Sequence, residues 1–426
     1  MQFSQLYRFV MLFLTGLVLA RMGVSTAIIG VYETFLFLSS AFSFFWLNGL
    51  LQNLLVRYPQ ASDKNALLQN TFWCLTAFRL MAFVAYLLFI FQLYPELKEE
   101  VYRWPAQLFS LVIFFAGAGL MAEFIFLVRS KAAYLSAFSA VHYTAHLLIV
   151  ALSFALGYGV MGAVYGLVVL NLLRVACVLY LLFWEKFSLP NKAIIKQLLA
   201  DASPLMIAAL LSGSIEYITG FYVSGYMGDA DFAVYRYGAK ELPLTLLLAN
   251  AFSNAVIPKV AGGRESLPET LQYIKKQSFV YMKWLFPISI ILIPVGKYLY
   301  PALFNPDFAD SAIVFNIFLL MVISRFAFPQ TILMGLGYRR VIMLASVTEV
   351  VSCIALMVVL GYLWGIAGIA TAVVLAGAIE KIILSAALFK LEKISPSKYI
   401  NIKGLVSLSV ILLLVFFAIQ ILLPVY

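Results

Sequence analysis

Long apolar runs dominate this chain, broken at short intervals by clusters of Lys, Arg, Asp, Glu, Pro and Gly. A helix needs about 20 apolar residues to cross the hydrocarbon core of a bilayer, and runs of that order follow one another here with short connections. Reading each run between its polar breaks predicts thirteen helical spans. Six are centred near Leu14, Phe44, Phe83, Ile113, Leu147 and Leu172, and six more near Leu210, Leu248, Ile290, Leu320, Val351 and Val374. The thirteenth runs from about Leu405 to Leu423. The amino terminus lacks a basic stretch and a small-residue cleavage site, so the first run reads as a retained helix.

The polar breaks alternate in charge. Arg57, Lys64, Arg129, Lys131, Lys186, Lys192, Lys196, Lys259, Arg264, Lys275, Lys276, Lys283, Arg339, Arg340, Lys390, Lys393, Lys398 and Lys403 fall on one side. The other side holds fewer cations (Arg21, Lys98, Arg103, Arg236, Lys240 and Lys297) and a cluster of acids, Glu96, Glu99, Glu100, Asp229, Asp231, Asp307 and Asp310. Cations near helix ends resist translocation, so this bias of roughly three to one predicts a cytoplasmic amino terminus.

The pattern also repeats. The stretch from Gly159 to Val169 lines up with that from Gly365 to Leu375, about 206 positions later, and a long apolar helix follows each. Met22-Gly23 followed by Val31-Tyr32 recurs as Met227-Gly228 followed by Val234-Tyr235. Duplicated halves suit a transporter, because two similar bundles rock about a site held between them. The basic, Pro190-containing segment 185–201 is the natural boundary. The expected organisation is a first lobe over 1–190, a second over 191–395 and an additional helix in 396–426.

Composition narrows the class. Hydrophobic residues make up 64% of the 426 positions and charged ones 11%, against roughly 25% charged in soluble domains. This is an all-α polytopic membrane protein. The net charge of +10 lies mainly in alternate loops, where it sets topology and does not indicate nucleic acid. Cys74, Cys177 and Cys353 share no spacing pattern, so neither disulfides nor a metal cluster is expected. No Walker motif is present, which points away from ATP hydrolysis, and no connection has room for a soluble catalytic domain. No cofactor is expected.

Ionisable side chains inside a bilayer are costly and usually face a partner or a wet cavity. Those in the apolar runs are Arg79, Glu123, Arg174, Glu216, Arg325, Glu349, Glu380 and Lys381, with Arg21, Arg236 and Lys240 near the run ends. Guanidinium groups remain charged and offer a planar fork to phosphate oxygens. Arg21, Arg79, Arg174, Arg325, Arg236, Lys240 and His142 are therefore the candidate substrate-binding residues, with pairing to Glu123, Glu216 or Glu349 as the rival role of the buried arginines. Glu123, Glu216, Glu349 and Glu380 are candidates for gating or ion coupling. Arg174 and Glu380 occupy equivalent repeat positions, so a pair between them would lock one state. His142 and His146, four apart on one helical face, read as hydrogen-bonded packing ahead of a protonatable site or a metal site. Tyr32, Tyr235, Tyr237 and Trp104 are candidates for stacking on sugars or anchoring at the interface.

Several motifs carry a family resemblance. Ala20-Arg21-Met22-Gly23 with Gly30-Val31-Tyr32 resembles the end of the first helix in the oligosaccharide and polysaccharide flippases of the MOP (multidrug, oligosaccharidyl-lipid, polysaccharide) exporter superfamily. Asn254-Ala255-Val256-Ile257-Pro258, Ala239-Lys240-Glu241-Leu242 and Leu303-Phe304-Asn305-Pro306-Asp307-Phe308 are similar to later motifs of the same superfamily. Met22 directly before Gly23, and Ala233 before Val234-Tyr235, depart from its usual pattern, and twelve or fourteen helices are commoner there than thirteen. The resemblance implies two pseudo-symmetric six-helix bundles around a central cavity, here with one extra carboxyl-terminal helix. It implies a flippase that moves undecaprenyl-diphosphate-linked oligosaccharide units of O-antigen, capsule or exopolysaccharide across a bacterial cytoplasmic membrane by alternating access. Arg21 matches the motif arginine that faces the cavity in related lipid II flippases. The partners implied are the lipid-linked oligosaccharide, membrane lipids, and a polymerase and glycosyltransferases of the same pathway. A cation-coupled drug or metabolite antiporter of the superfamily is the alternative, and a membrane-embedded glycan polymerase or transferase a more distant one.

Overall fold

The computed structural model describes residues 2–94, 97, 99–184, 188–239, 243–261 and 267–422, which are helical with short connections and contain no strand. Lys240, a candidate for the site, lies outside the described residues, as do the loop charges Glu96, Lys98, Lys186 and Arg264. Nine helices among the described residues are long and apolar enough to cross a membrane, and a tenth crossing arises if one bent pair counts as a single span.

The first half comprises α1 (Gln2–Arg21), α2 (Thr26–Ala41), α3 (Phe44–Arg57), α4 (Lys64–Leu93), α5 (Glu100–Val128), α6 (Ala132–Ala155) and α7 (Gly159–Phe183). Helix starts follow capping chemistry: Ser25 Oγ accepts from Ile28 N at 3.4 Å, and Asp63 Oδ1 from Ala66 N at 2.9 Å. The span expected as one run about Phe44 is instead the pair α2 and α3, bent by 50°. Serines supply the reason. Ser40 Oγ donates to Phe37 O at 2.8 Å and Ser43 Oγ to Ser39 O at 2.6 Å, and such back-bonding competes with the helical ladder.

The second half comprises α8 (Lys192–Tyr226), α9 (Asp229–Gly238), α10 (Pro243–Ala261), α11 (Leu267–Leu303), α12 (Ser311–Leu319), α13 (Val322–Arg325), α14 (Pro329–Gly335), α15 (Arg339–Glu392), α16 (Pro396–Tyr399) and α17 (Ile402–Leu422). The span about Leu320 is broken on both sides of α13, and Phe328, forced out of the helical region by Pro329, stands at φ +52°. α15 is two arms joined at Trp364 and Gly365 (φ +56°, ψ −138°), with Gly368 directly against the Leu360 carbonyl. The arms are the expected eleventh and twelfth spans. α17 packs on α11, where Gly404 meets the Phe279 ring.

Backbone conformation repeats with the sequence. Gly159 and Gly365 stand at φ +55° and +56°, Gly23 and Gly228 at +76° and +97°, and Ser130 and Gly337 at +56° and +85°. Each pair joins corresponding helices of the two halves, so the duplication extends to the left-handed joints.

Two compact units result: Met1–Gly213 with Gly220–Phe232, and Ser214–Thr219 with Ala233–Tyr426. Phe35 stacks on Phe109 with ring centres 5.0 Å apart in the core of the first. In the second, Tyr237, Phe304 and Phe308 form an aromatic cluster and Tyr300 Oη donates to Tyr237 O at 3.0 Å. The Asn305-Pro306-Asp307 turn, held by Asn305 Oδ1 accepting from Asp307 N at 3.0 Å, places Phe304 and Phe308 in that cluster.

Candidate functional site

A short sequence on α5, Gly117-Ala118-Gly119, makes room for two arginines inside the first unit. A Cβ on Gly117 would fall 0.9 Å from Nη2 of Arg79, and one on Gly119 would fall 2.6 Å from Cδ of Arg174. Arg79, on α4, donates from Nη1 to Ile113 O at 2.6 Å and lies 5.4 Å from the centre of the Trp46 ring. Arg174, on α7, forms an ion pair with Glu123 of α5 and donates from Nη1 to His142 Nε2 at 3.2 Å. A guanidinium only donates, so His142 accepts at Nε2 and its ring is neutral there.

Hydroxyls complete the cluster. Tyr143 Oη and Ser4 Oγ each donate to Glu123 at 3.4 Å, and Ser4 shares a short hydrogen bond with Ser139. His146 Nε2 bonds to Tyr32 Oη at 2.7 Å. Arg8 of α1 sits 5.9 Å from the Tyr143 ring centre and acts electrostatically on His142 and His146. Six helices thus converge on one polar core. Burial makes the Arg174–His142, Ser4–Ser139 and Tyr32–His146 bonds expensive to lose.

The second unit carries a counterpart. Lys381, on the later arm of α15, bonds Glu380 Oε2 at 2.6 Å and Gln330 Oε1 of α14 at 3.2 Å. Glu349, on the earlier arm, reaches across to Gly377, and Glu380, Lys381 and Arg325 are its charged neighbours. The register set by Ser130 and Gly337 matches Glu123 with Gln330, His142 with Glu349 and Arg174 with Lys381, each 207 positions apart. The later glycine register differs by one and matches Arg174 with Glu380. Lys381 also lines a groove of about 560 Å³ with Ser324, Ala378, Ser385 and Phe389.

The remaining candidates are dispersed. Arg21 is exposed at the end of α1. Arg236, on α9, pairs with the exposed Glu216 at 3.6 Å. Arg325 is half-buried on α13. Arg174 pairs with Glu123 and Glu380 with Lys381, each within its own unit. Tyr32, Tyr235 and Tyr237 are buried, which removes them as sugar-stacking surfaces in this conformation, whereas Trp104 is exposed. Among the described residues no group of three or more metal-ligating side chains comes together, and the two histidines turn to different partners.

Sequence reasoning passed over Arg8, Ser4, Ser139, Tyr143 and Gln330. Arg8 carried a usable signal, a lone cation within the first apolar run. The hydroxyls and the amide carried none, because such residues are common in membrane helices.

No family model matches the sequence, and no curated protein matches it. The similarity is structural. The lipid II flippase MurJ, in an inward closed conformation, matches with a TM-score of 0.68 and 16% identity, over 99% of this chain and 92% of that one. An inward-facing multidrug resistance MATE family transporter of the MOP superfamily matches with a TM-score of 0.69 and 13% identity, over 91% and 96%. A MOP superfamily transporter from Pyrococcus furiosus, described by the reverse polarity of its binding pocket, matches with a TM-score of 0.59 and 12% identity, over 96% and 94%. The chain has the two-lobe helical fold of these transporters.

Proposed function

We propose that this protein is a flippase that moves an anionic, lipid-linked oligosaccharide of the undecaprenyl-diphosphate type across a bacterial cytoplasmic membrane by alternating access. The observation that carries this reading is the pair of guanidinium groups buried in the first unit's polar core, Arg174 paired with Glu123 and Arg79 held by the Ile113 carbonyl. Guanidinium groups at membrane depth give the core a positive field that suits a phosphorylated substrate, whereas export of organic cations calls for an acidic site. A neighbour whose binding pocket of reverse polarity suggests a different function gives the same fold a precedent for a changed pocket charge.

Arg79 and Arg174 act in this scheme through protein partners, holding the core in one arrangement and biasing its field, while Arg21, Arg236 and Lys240 remain the proposed phosphate contacts. Glu123, Glu349 and Glu380 are the proposed coupling groups, since each belongs to an interhelical cluster that a proton or cation would rearrange. Glu216 has the gating role through Arg236. The cytoplasmic amino terminus and partnership with glycosyltransferases and a polymerase belong to the same proposal.

Deletion of the gene followed by analysis of membrane lipids tests it. Accumulation of undecaprenyl-linked oligosaccharide on the cytoplasmic side is the expected result. Unchanged carrier lipids together with altered efflux of cationic dyes would replace the flippase with the antiporter.

A further inference from the structure

The later arm of α15 carries a stripe that the first unit covers and the second leaves open. Ala378, Lys381, Ile382, Ser385, Ala386 and Phe389 recur at three- and four-residue spacing, which places them on one face of the helix. With Ser324 of α13 and Pro396 of α16 they wall the groove of about 560 Å³. Ile382 and Phe389 are 67% and 52% exposed. In the first unit, 207 positions earlier, Ser385 and Phe389 correspond to Val178 and Leu182, and both are buried. Cover comes there from α4: Gln69 Nε2 donates to the Leu182 carbonyl at 2.7 Å, and Phe72 packs edge-on against Phe183. Gly117, the counterpart of Ser324, faces the Arg79 guanidinium of the same helix.

Length, polarity and charge define what suits the open face. From Ala378 to Phe389 the helix advances about 16 Å at 1.5 Å per residue, close to half of a hydrocarbon core roughly 30 Å thick. The groove thus has the depth of one leaflet. Its polar groups already have protein partners: Lys381 bonds Glu380 and Gln330, Ser385 Oγ accepts from Tyr399 Oη at 3.0 Å, and Ser324 Oγ donates to Met321 O at 3.3 Å. The rest of the wall is apolar, so it favours hydrocarbon over a sugar. At the Phe389 end the chain turns basic. Lys390 and Lys393 close α15, Lys398 lies two residues past Pro396, and all three are exposed. Glu392, the one acid between 390 and 403, accepts from Tyr338 Oη at 2.5 Å. Lys275 Nζ donates to Ser397 O at 2.7 Å and fixes the α16 turn beside these cations.

We propose that this groove is a binding site for an anionic phospholipid of the membrane, with one acyl chain along Ile382, Ala386 and Phe389 and the headgroup phosphate at Lys393 and Lys398. An apolar wall one leaflet long that ends in cations is complementary to such a lipid along its whole length. The lipid does for the second unit what α4 does for the first: it covers the face of α15 beside the Lys381–Glu380 pair and bridges α13 and α16. It is a structural partner and not the cargo, so the site stands whether or not the transported molecule is a lipid-linked oligosaccharide.

Native mass spectrometry of the full-length protein, purified in detergent and titrated with phosphatidylglycerol or with phosphatidylcholine of identical chains, tests the site. One phosphatidylglycerol per chain is expected to be retained roughly twenty-five-fold better than phosphatidylcholine, about fivefold for each of two lysines. Lys393→Gln with Lys398→Gln should remove that preference. Lys192→Gln with Lys196→Gln, the same loss of charge from exposed lysines of the first unit, should leave it intact. Ala386→Trp fills the groove from an exposed position and should abolish retention of the tight lipid. The lysine pair sits at the exposed rim and disturbs no packing, so its result stands even where the tryptophan variant folds poorly. Equal retention of the two lipids, an equal loss in the Lys192 and Lys196 variant, or undiminished retention in a folded Ala386→Trp protein overturns the proposal.

Discussion

The polar cores of the two units occupy matching helices yet solve opposite problems. In the first, Arg174 reaches from α7 to Glu123 on α5, so its ion pair ties two helices together across 51 positions of chain. In the second, Lys381 folds back on its immediate neighbour Glu380, and only the neutral Gln330 ties it to α14. The first core is closed, with Arg79, Arg174, His142 and His146 all buried. The second opens through the groove beside Lys381. The contrast teaches that duplication has kept the positions while the charges diverged, so one half holds two buried guanidinium groups and the other a mixed set of two carboxylates with Lys381 and Arg325.

Removing one partner of the closed pair should break the contrast most severely. Glu123→Ala strands the Arg174 guanidinium in a low-dielectric interior and should cost about 4 kcal/mol, read as a large drop in thermal stability of the purified protein. The double change Glu123→Leu with Arg174→Met should recover most of that stability while transport stays lost; an equally unstable double variant would show that the pair is not the source of the cost.

Gly117→Ala ranks next. A methyl group there occupies the space of the Arg79 guanidinium, and displacing it should cost about 3 kcal/mol in the same measurement. The corresponding loss in the second unit should be smaller: Lys381→Met leaves Glu380 without its cation beside an open groove, for about 2 kcal/mol. A Lys381→Cys thiol should also react with a lipid-soluble maleimide under conditions where Arg174→Cys stays protected, and equal reactivity would erase the distinction between open and closed cores.

Tyr32→Phe should have the smallest effect. It removes one buried hydrogen bond to His146 and should cost about 1 kcal/mol, with little change in transport.

Much of the fold was legible in advance because lipid imposes a simple code. Each of the thirteen expected centres falls in a helix or at a break between two, and the left-handed joints at Gly159 and Gly365 stand where the repeat placed them. The candidate site was legible only as a set of residue types. Arg174 had three carboxylates available on paper, and which one it meets depends on the rotation of α5 and α7 about their axes, which apolar runs hydrophobic on every side leave unspecified. The bend at Ser43 and the break before Pro329 escaped for a related reason: serine back-bonding and an aromatic residue forced to positive φ take effect only where neighbouring helices bury the displaced backbone.

By itself the sequence determined that the chain lies in a membrane, how many apolar runs it has, that the halves are duplicated, and which ionisable groups fall within those runs. These follow from transfer free energies, which each residue carries wherever it is placed. Tertiary structure decided which charges neutralise one another and that Gly117 and Gly119 house two arginines. Those outcomes depend on distances of a few ångströms between helices far apart in the chain, and electrostatic and steric energies change steeply over such distances.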